Sequence, residues 1–309
     1  MSESPASRSR PSHSTVEGRA YLGLRALAKK DGRTSAEYLR LYALEGFLAR
    51  LANSPHADSL VLKGGVLLAA YDLRRPTADV DLAATALPND IERIGQLVAS
   101  IAQEVLSPAD FDGLRFDVSN LRTETIRDED EYSGVRVTIA AHLATARETF
   151  HVDVNVGDPI WPGPETVTLP RLLGGSINLR GYPVTMVLAE KLVTALQRGA
   201  ANTRWRDFAD VHLIAARHSF DAVELRDALV EVADFRGRQL EPLATALEGY
   251  APLGQARWLA WRNRLQLQDR LPAQFGDVLG VVFQLADPLM TTPPTAAGRW
   301  SPEGRSWDG

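Results

Sequence analysis

The feature that most constrains this chain is a glycine pair followed, after a short gap, by two alternating acids. Val61-Leu62-Lys63 leads into Gly64-Gly65, and Asp79 and Asp81 follow in Thr77-Ala-Asp79-Val-Asp81-Leu82. The alternation of acid with Ala, Val and Leu predicts a strand, and residues two apart in a strand share a face. Both carboxylates then point the same way, with Cα atoms about 6.5–7 Å apart at ~3.3 Å of rise per residue. Two acids so placed suit one divalent cation such as Mg2+, which takes hard oxygen ligands and is usually shared with phosphate. Thr77, two residues before Asp79, would share that face if the strand reached it. A third acid, Asp153, lies on the polar face of a second alternating segment, Phe150-His-Val-Asp153-Val-Asn-Val156.

Composition sets wide limits. The 309 residues are 45% hydrophobic and 24% charged, enough for one large or two moderate domains with cores of their own. Cysteine is absent, which excludes disulfides, thiolate zinc sites and thiol catalysis. Ser2 to Ser14 has no apolar segment, so it is not read as a secretory signal, and no run of about twenty apolar residues suggests a membrane span. A cytoplasmic protein is expected. The net charge of −5 means that any RNA-binding surface must be a local patch. His13, His56, His142, His151, His212 and His218 show no ligand spacing. The chain has 30 arginines and four lysines: Lys29, Lys30, Lys63 and Lys191. Lysine at 63 or 191 therefore hints at a need for a compact ammonium ion.

The organisation expected from pattern is a disordered tail over 1–16, a catalytic domain over 17–183, a helical domain over 184–287 and a flexible tail over 288–309. The fold class is α+β, with a mixed sheet followed by helices. Helices are predicted over 34–51, 66–71 and 91–106, and strands over 114–123, 135–141 and 150–156. The acidic run 127–131 reads as a solvated loop and 159–170 as a longer one. Helical patterns then cover 184–198, 203–217, 221–232, 240–246, 255–265 and 272–286.

The helical half carries candidate chemistry too. On a helical wheel Lys191 falls among Val184, Val187, Leu188 and Ala195, so its ammonium must snorkel or meet an anion. Phosphate is the expected anion, and Arg198 flanks the same face. Asp207 and Asp210, three apart on the next helix, are neighbours that could hold Lys191 or Arg198 or act in catalysis. Arg204 and Arg206 beside Trp205, Arg236 and Arg238 about Gly237, and Trp258 and Trp261 with Arg262 and Arg264 suggest RNA contacts by charge and stacking. The tryptophans read equally well as helix-packing residues.

The glycine turn with its two-acid and one-acid strands resembles the polymerase-β-like nucleotidyltransferase superfamily. With Leu62-Lys-Gly-Gly65, Arg75-Pro-Thr-Ala-Asp-Val-Asp-Leu82, Lys191 to Arg198 and Arg206-Asp-Phe-Ala-Asp210, the chain resembles the AbiEii/AbiGii toxins, including the MenT type, from about residue 34 to 230. That resemblance implies an NTP with Mg2+, a separately encoded antitoxin and, for MenT-type members, addition of nucleotides to the tRNA 3′ end. It matches Asp79 and Asp81 to the metal pair, Lys191 to the third-motif lysine and Asp207 or Asp210 to its acidic partner. It matches Asp153 to the third carboxylate, as a second-metal ligand or base, and Gly64 and Gly65 to the phosphate-facing turn. Lys63, Thr77 and Arg198 complete the expected nucleotide-binding set. Transfer to a small molecule or protein hydroxyl, or a non-catalytic module binding antitoxin or RNA, are the rival readings.

Overall fold

Two threonine caps start the chain's first helices. In the computed structural model, which describes residues 10–85, 87–127 and 133–309, the Thr15 hydroxyl accepts from the Gly18 N–H and opens α1 (Val16–Lys30). The Thr34 hydroxyl accepts from the Glu37 N–H and opens α2 (Ser35–Asn53). Such a cap satisfies one of the four N–H groups a helix start leaves unpaired. α1 was not expected. It buries Ala20, Leu24 and Ala28 at a spacing of four, but two of the three are too small to show as an apolar stripe. Lys29 and Lys30, read as part of a polar stretch, sit in its last turn, where cations favour the helix dipole. Residues 1–9 of the expected tail and residues 128–131 of the expected acidic loop lie outside the described residues.

The chain divides into two compact units, Met1–Asp158 with Thr166–Gly181, and Pro159–Glu165 with Tyr182–Gly309. The first holds a seven-stranded mixed sheet of β1 (Leu60–Lys63), β2 (Asp79–Ala84), β3 (Arg115–Arg127), β4 (Ser133–Leu143), β5 (Ala146–Val156), β6 (Glu165–Pro170) and β7 (Ser176–Gly181). Their order is β3-β4-β5-β2-β1-β7-β6. β2 runs parallel to β5 and antiparallel to β1, and β1 is parallel to β7. The α+β class expected from the sequence is therefore the observed one. On β5, Phe150, Val152 and Val154 are buried, and the Phe150 ring meets Phe47 of α2 edge-on at 6.1 Å. Strand alternation then turns His151, Asp153 and Asn155 to the opposite face.

Several boundaries differ from expectation. The segment 159–170 is not all loop. Glu165–Pro170 forms β6, and the Arg171 N–H to Gly175 carbonyl bond closes its turn into β7. Prolines and a Gly174-Gly175 pair around a short strand hid it. The helix expected over 66–71 starts earlier, as α3 (Gly64–Leu67), and tightens into a 3-10 turn over Leu68–Tyr71. That expected over 91–106 ends sooner, as α4 (Ile91–Ala102), whose cap is Asp90.

The second unit is built of α5 (Val184–Arg198), α6 (Trp205–Ala215), α7 (Ala222–Phe235), α8 (Leu243–Ala246), α9 (Tyr250–Arg264) and α10 (Phe275–Met290). Its centre is aromatic: Trp205 stacks on Tyr250 at 5.7 Å, and Phe275 meets both rings and those of Phe208 and Trp258. The last residues are not a flexible tail. β8 (Trp300–Ser301) and β9 (Ser306–Trp307) form a hairpin. Trp300 is fully buried, stacks on Phe220 and donates its indole N–H to the Ala215 carbonyl at 2.7 Å. Glycine, proline and polar residues around one buried ring look like a disordered segment in sequence, because that ring's partners lie far away along the chain. Among the described residues no helix is long and apolar enough to cross a membrane.

Candidate active site

The pairing register aligns four charged residues across the first unit's sheet. Lys63 on β1 is opposite Asp81 on β2, Asp81 is opposite Asp153 on β5, and Asp153 is opposite Arg136 on β4. Neighbouring strands lie about 4.8 Å apart. The row therefore reads cation, acid, acid, cation, with Asp79 two residues along β2 on the same face. Both acids of β2 are partly open, whereas the intervening Val80 is fully buried. The alternation that predicted a shared carboxylate face is thus realised as geometry.

The electrostatics of the row are uneven. Burial, then the charge of Asp153, raises the Asp81 carboxyl above the usual carboxylate range, and Asp79 adds to this. The Lys63 ammonium and the Gly65 N–H, which donates to Asp81, pull the other way. Asp153 is held by Arg136 through two parallel bonds, Nε to Oδ1 at 2.8 Å and Nη2 to Oδ2 at 2.7 Å. That fork raises the Arg136 pKa, first through the hydrogen bond itself. Each Asp153 oxygen accepts one bond from Arg136 and keeps a second acceptor site, so the fork fixes the carboxylate in place. Its charge acts on Asp81, and Arg136 masks that charge. Arg136 escaped the sequence reading because only the strand register reveals its partner.

The glycine turn has a different first duty from the one expected. Gly64 has φ +69, in the left-handed region open to glycine, and a Cβ there would overlap the Asp81 carboxylate. The turn thus lets the backbone slip beneath Asp81, and the Gly65 N–H that could have faced phosphate holds this acid. Lys63 pairs with Asp158 at 2.6 Å while facing Asp81. Asp158, just past the end of β5, carried no sequence signal. Thr77 is not on the strand, since β2 begins at Asp79. Its hydroxyl lies 3.5 Å from the Asp79 carbonyl, in the loop above Gly65. The preceding Pro76 keeps that loop from pairing as a strand.

Two predictions follow from these contacts. Gly64→Ala should cut the nucleotidyl transfer that the resemblance implies about 100-fold, the scale of a ~1 Å displacement of a reacting group, because Asp81 must move. Equal rates of the variant and its parent in a labelled-NTP assay would refute the close approach. Arg136→Gln unmasks Asp153 beside Asp81, and an added negative charge raises a carboxyl pKa. The acid limb of the pH–rate profile should therefore move to higher pH. A shift to lower pH, or none, would separate Arg136 from the acid pair.

In the second unit, Lys191 on α5 donates to Asp207 at 2.9 Å and to Asp210 at 2.8 Å, both on α6. All three residues are buried. The two acids that spacing could not choose between both meet Lys191, so its ammonium is held by a buried carboxylate pair. Arg204 pairs with Asp207 at 2.5 Å. Arg198 lies half-buried in the last turn of α5, and Arg236 donates to Thr194 at 2.8 Å. Arg206 and Arg238 are exposed. Of the two readings open for the tryptophans, base stacking and helix packing, the structure shows packing. Trp258 is fully buried, Trp205 and Trp261 nearly so, and Trp258 stacks on Trp261 at 5.3 Å.

Whether Mg2+ fits can be judged from the donors present. Among the described residues no three His, Cys, Asp or Glu side chains cluster as a complete metal cage. Asp79 and Asp81 are nonetheless hard oxygen donors on one face, and Asp81 is crowded by like charge that a cation would relieve. Two protein carboxylates suffice where substrate oxygens complete the shell, as is usual for Mg2+.

The crystal structure of JHP933 from Helicobacter pylori is 15% identical, with a TM-score of 0.44 over 79% of this chain and 88% of that one. That of a protein assigned as a nucleotidyltransferase from H. pylori is 16% identical, with a TM-score of 0.42 over 79% and 91%. No curated protein sequence matches. The family model described as nucleotidyl transferase AbiEii toxin, type IV toxin–antitoxin system, matches residues 46–280, a span that takes in the glycine turn, both acids of β2, Asp153 and the Lys191 cluster. With most of its length so matched, the chain belongs to the AbiEii family of nucleotidyltransferase toxins.

Proposed function

We propose that this chain transfers a nucleoside monophosphate from an NTP to an RNA hydroxyl, the 3′ end of tRNA, and thereby blocks translation until its antitoxin restrains it. The observation that carries the chemistry is the Asp79–Asp81 face bracketed by Lys63 and the Arg136-masked Asp153. In the reaction the acceptor hydroxyl loses its proton to solvent as its oxygen bonds to the α-phosphorus, the bond from that phosphorus to the α–β bridging oxygen breaks, and pyrophosphate leaves. Asp79 and Asp81 would hold Mg2+, which when bound neutralises triphosphate charge. The protein's own share is positioning and field: Gly64 and Gly65 fix Asp81, and Lys63 supplies positive charge beside it. Asp153 acts through that field.

Lys191, Asp207 and Asp210 enter this reading as one charged unit, and any phosphate that binds Lys191 must compete with two carboxylates. Exposed Arg206 and Arg238, with Arg204 and Arg236, are the proposed RNA contacts, acting by charge, since the tryptophans are packed inside. The intact acid pair favours an enzyme over a non-catalytic binding module.

The acceptor is tested by labelling intact tRNA against tRNA lacking its terminal CCA. Labelling confined to intact tRNA is expected. Equal labelling of both, or label only on protein or small molecules, would overturn the acceptor while leaving the chemistry standing.

A further inference from the structure

We propose that Arg75 binds the polyphosphate of the nucleotide substrate, its guanidinium seated over Gly65 beside the Asp79–Asp81 face; this rests on the nucleotidyl-transfer reading above. The seat is defined by what a side chain at Gly65 would meet. A Cβ there would lie 3.1 Å from each terminal nitrogen of Arg75 and 2.9 Å from the Thr77 hydroxyl oxygen. At the preceding Gly64 the space is filled by the Asp81 carboxylate. Consecutive Cα atoms are 3.8 Å apart. One tight turn therefore carries a carboxylate over its first glycine and a guanidinium over its second. Arg75, Thr77, Asp79 and Asp81 are all partly open.

The loop that delivers Arg75 is anchored from behind. Its neighbour Arg74 donates Nη1 to Glu45 of α2 at 2.6 Å and Nη2 to the Pro170 carbonyl. Glu45 is buried and also accepts the Leu172 N–H, at 3.1 and 3.0 Å to its two oxygens. Pro76 fixes φ on the other side, and its carbonyl accepts from Arg75 Nη1 at 3.2 Å. A guanidinium held on so constrained a backbone has lost part of its freedom before any ligand arrives, which lowers the entropy cost of binding. An oxyanion that carries a cation suits both the acid pair and the planar fork beside it. The fork matches phosphate oxygens two at a time.

The test is calorimetric titration of the full chain with inorganic tripolyphosphate, run beside a transfer assay with α-labelled NTP and a melting curve for each variant. Arg75→Gln should weaken tripolyphosphate binding about 10- to 100-fold, the scale of lost charged hydrogen bonds, at an unchanged melting temperature. Arg75→Lys keeps the charge but not the fork and should fall between. If the Gln variant is unstable, the Lys variant decides. Parental affinity in Arg75→Gln, or in Arg75→Lys when that variant decides, overturns the proposal while parental transfer keeps the nucleotidyltransferase reading. A parent that neither binds tripolyphosphate nor transfers label removes both.

Discussion

Asp81→Asn should lower nucleotidyl transfer by about 10³-fold or more while leaving the protein folded and more stable than its parent at neutral pH. The rate loss is that of removing an electrostatic group aimed at charge that develops in the transition state. The stability gain follows from the crowding of Asp81. Burial and the charge of Asp153 raise its pKa in the fold, so the folded state holds that proton more tightly than the unfolded chain does. Ionised Asp81 therefore costs stability at pH above its folded pKa, and the cost disappears as pH falls through that value. The amide keeps an oxygen for the Gly65 N–H but carries no charge. Its stabilising effect should be largest near neutrality and shrink in acid, as urea midpoints across pH would show. An Asn variant that is active, or less stable than the parent at pH 7, contradicts the placement of Asp81.

The second large effect is on the helical unit. Lys191→Ala removes the ammonium that two buried carboxylates share, while Arg204 stays beside Asp207. Breaking a buried ion pair from one side costs about 3–5 kcal/mol, because the remaining charge is left uncompensated. Replacing the set together, Lys191→Met with Asp207→Leu and Asp210→Leu, should restore most of that loss, since apolar groups of similar volume often substitute at little cost. Urea unfolding of both variants checks this. A loss under about 1 kcal/mol for Lys191→Ala, or no recovery in the triple variant, would mean that packing and not charge holds α5 to α6.

What could be seen in the sequence was local. The two-acid strand was legible because its alternation is contained in six residues, and α5 because its apolar period runs within one helix. Lys191 was placed correctly on the buried stripe, and the i, i+3 spacing brought Asp207 and Asp210 to one flank. The rest depends on pairing across distance. Arg136 lies in Val135-Arg-Val137 and looks like any outward strand residue until register sets it against Asp153. Asp158 and Glu45 act on residues far along the chain, Lys63 and Arg74. Trp205, Trp258 and Trp261 show a choice that sequence left even and burial decides. Arginines next to tryptophan in sequence suggested a stacking surface, but side chains adjacent in a helix point about 100° apart, so exposed Arg206 and buried Trp205 share no face.

Whether Asp79 and Asp81 serve transfer of a nucleotide is tested by the position of the label. The chain is incubated in parallel with NTP labelled at the α- or the γ-phosphate, with total RNA and Mg2+. The α-label should enter RNA with one pyrophosphate released per nucleotide added, the γ-label should not, and Asp79→Ala and Asp81→Asn, folded, should transfer neither. Entry of γ-label into any acceptor, or full α-label transfer by the folded Asp79→Ala variant, would contradict that role.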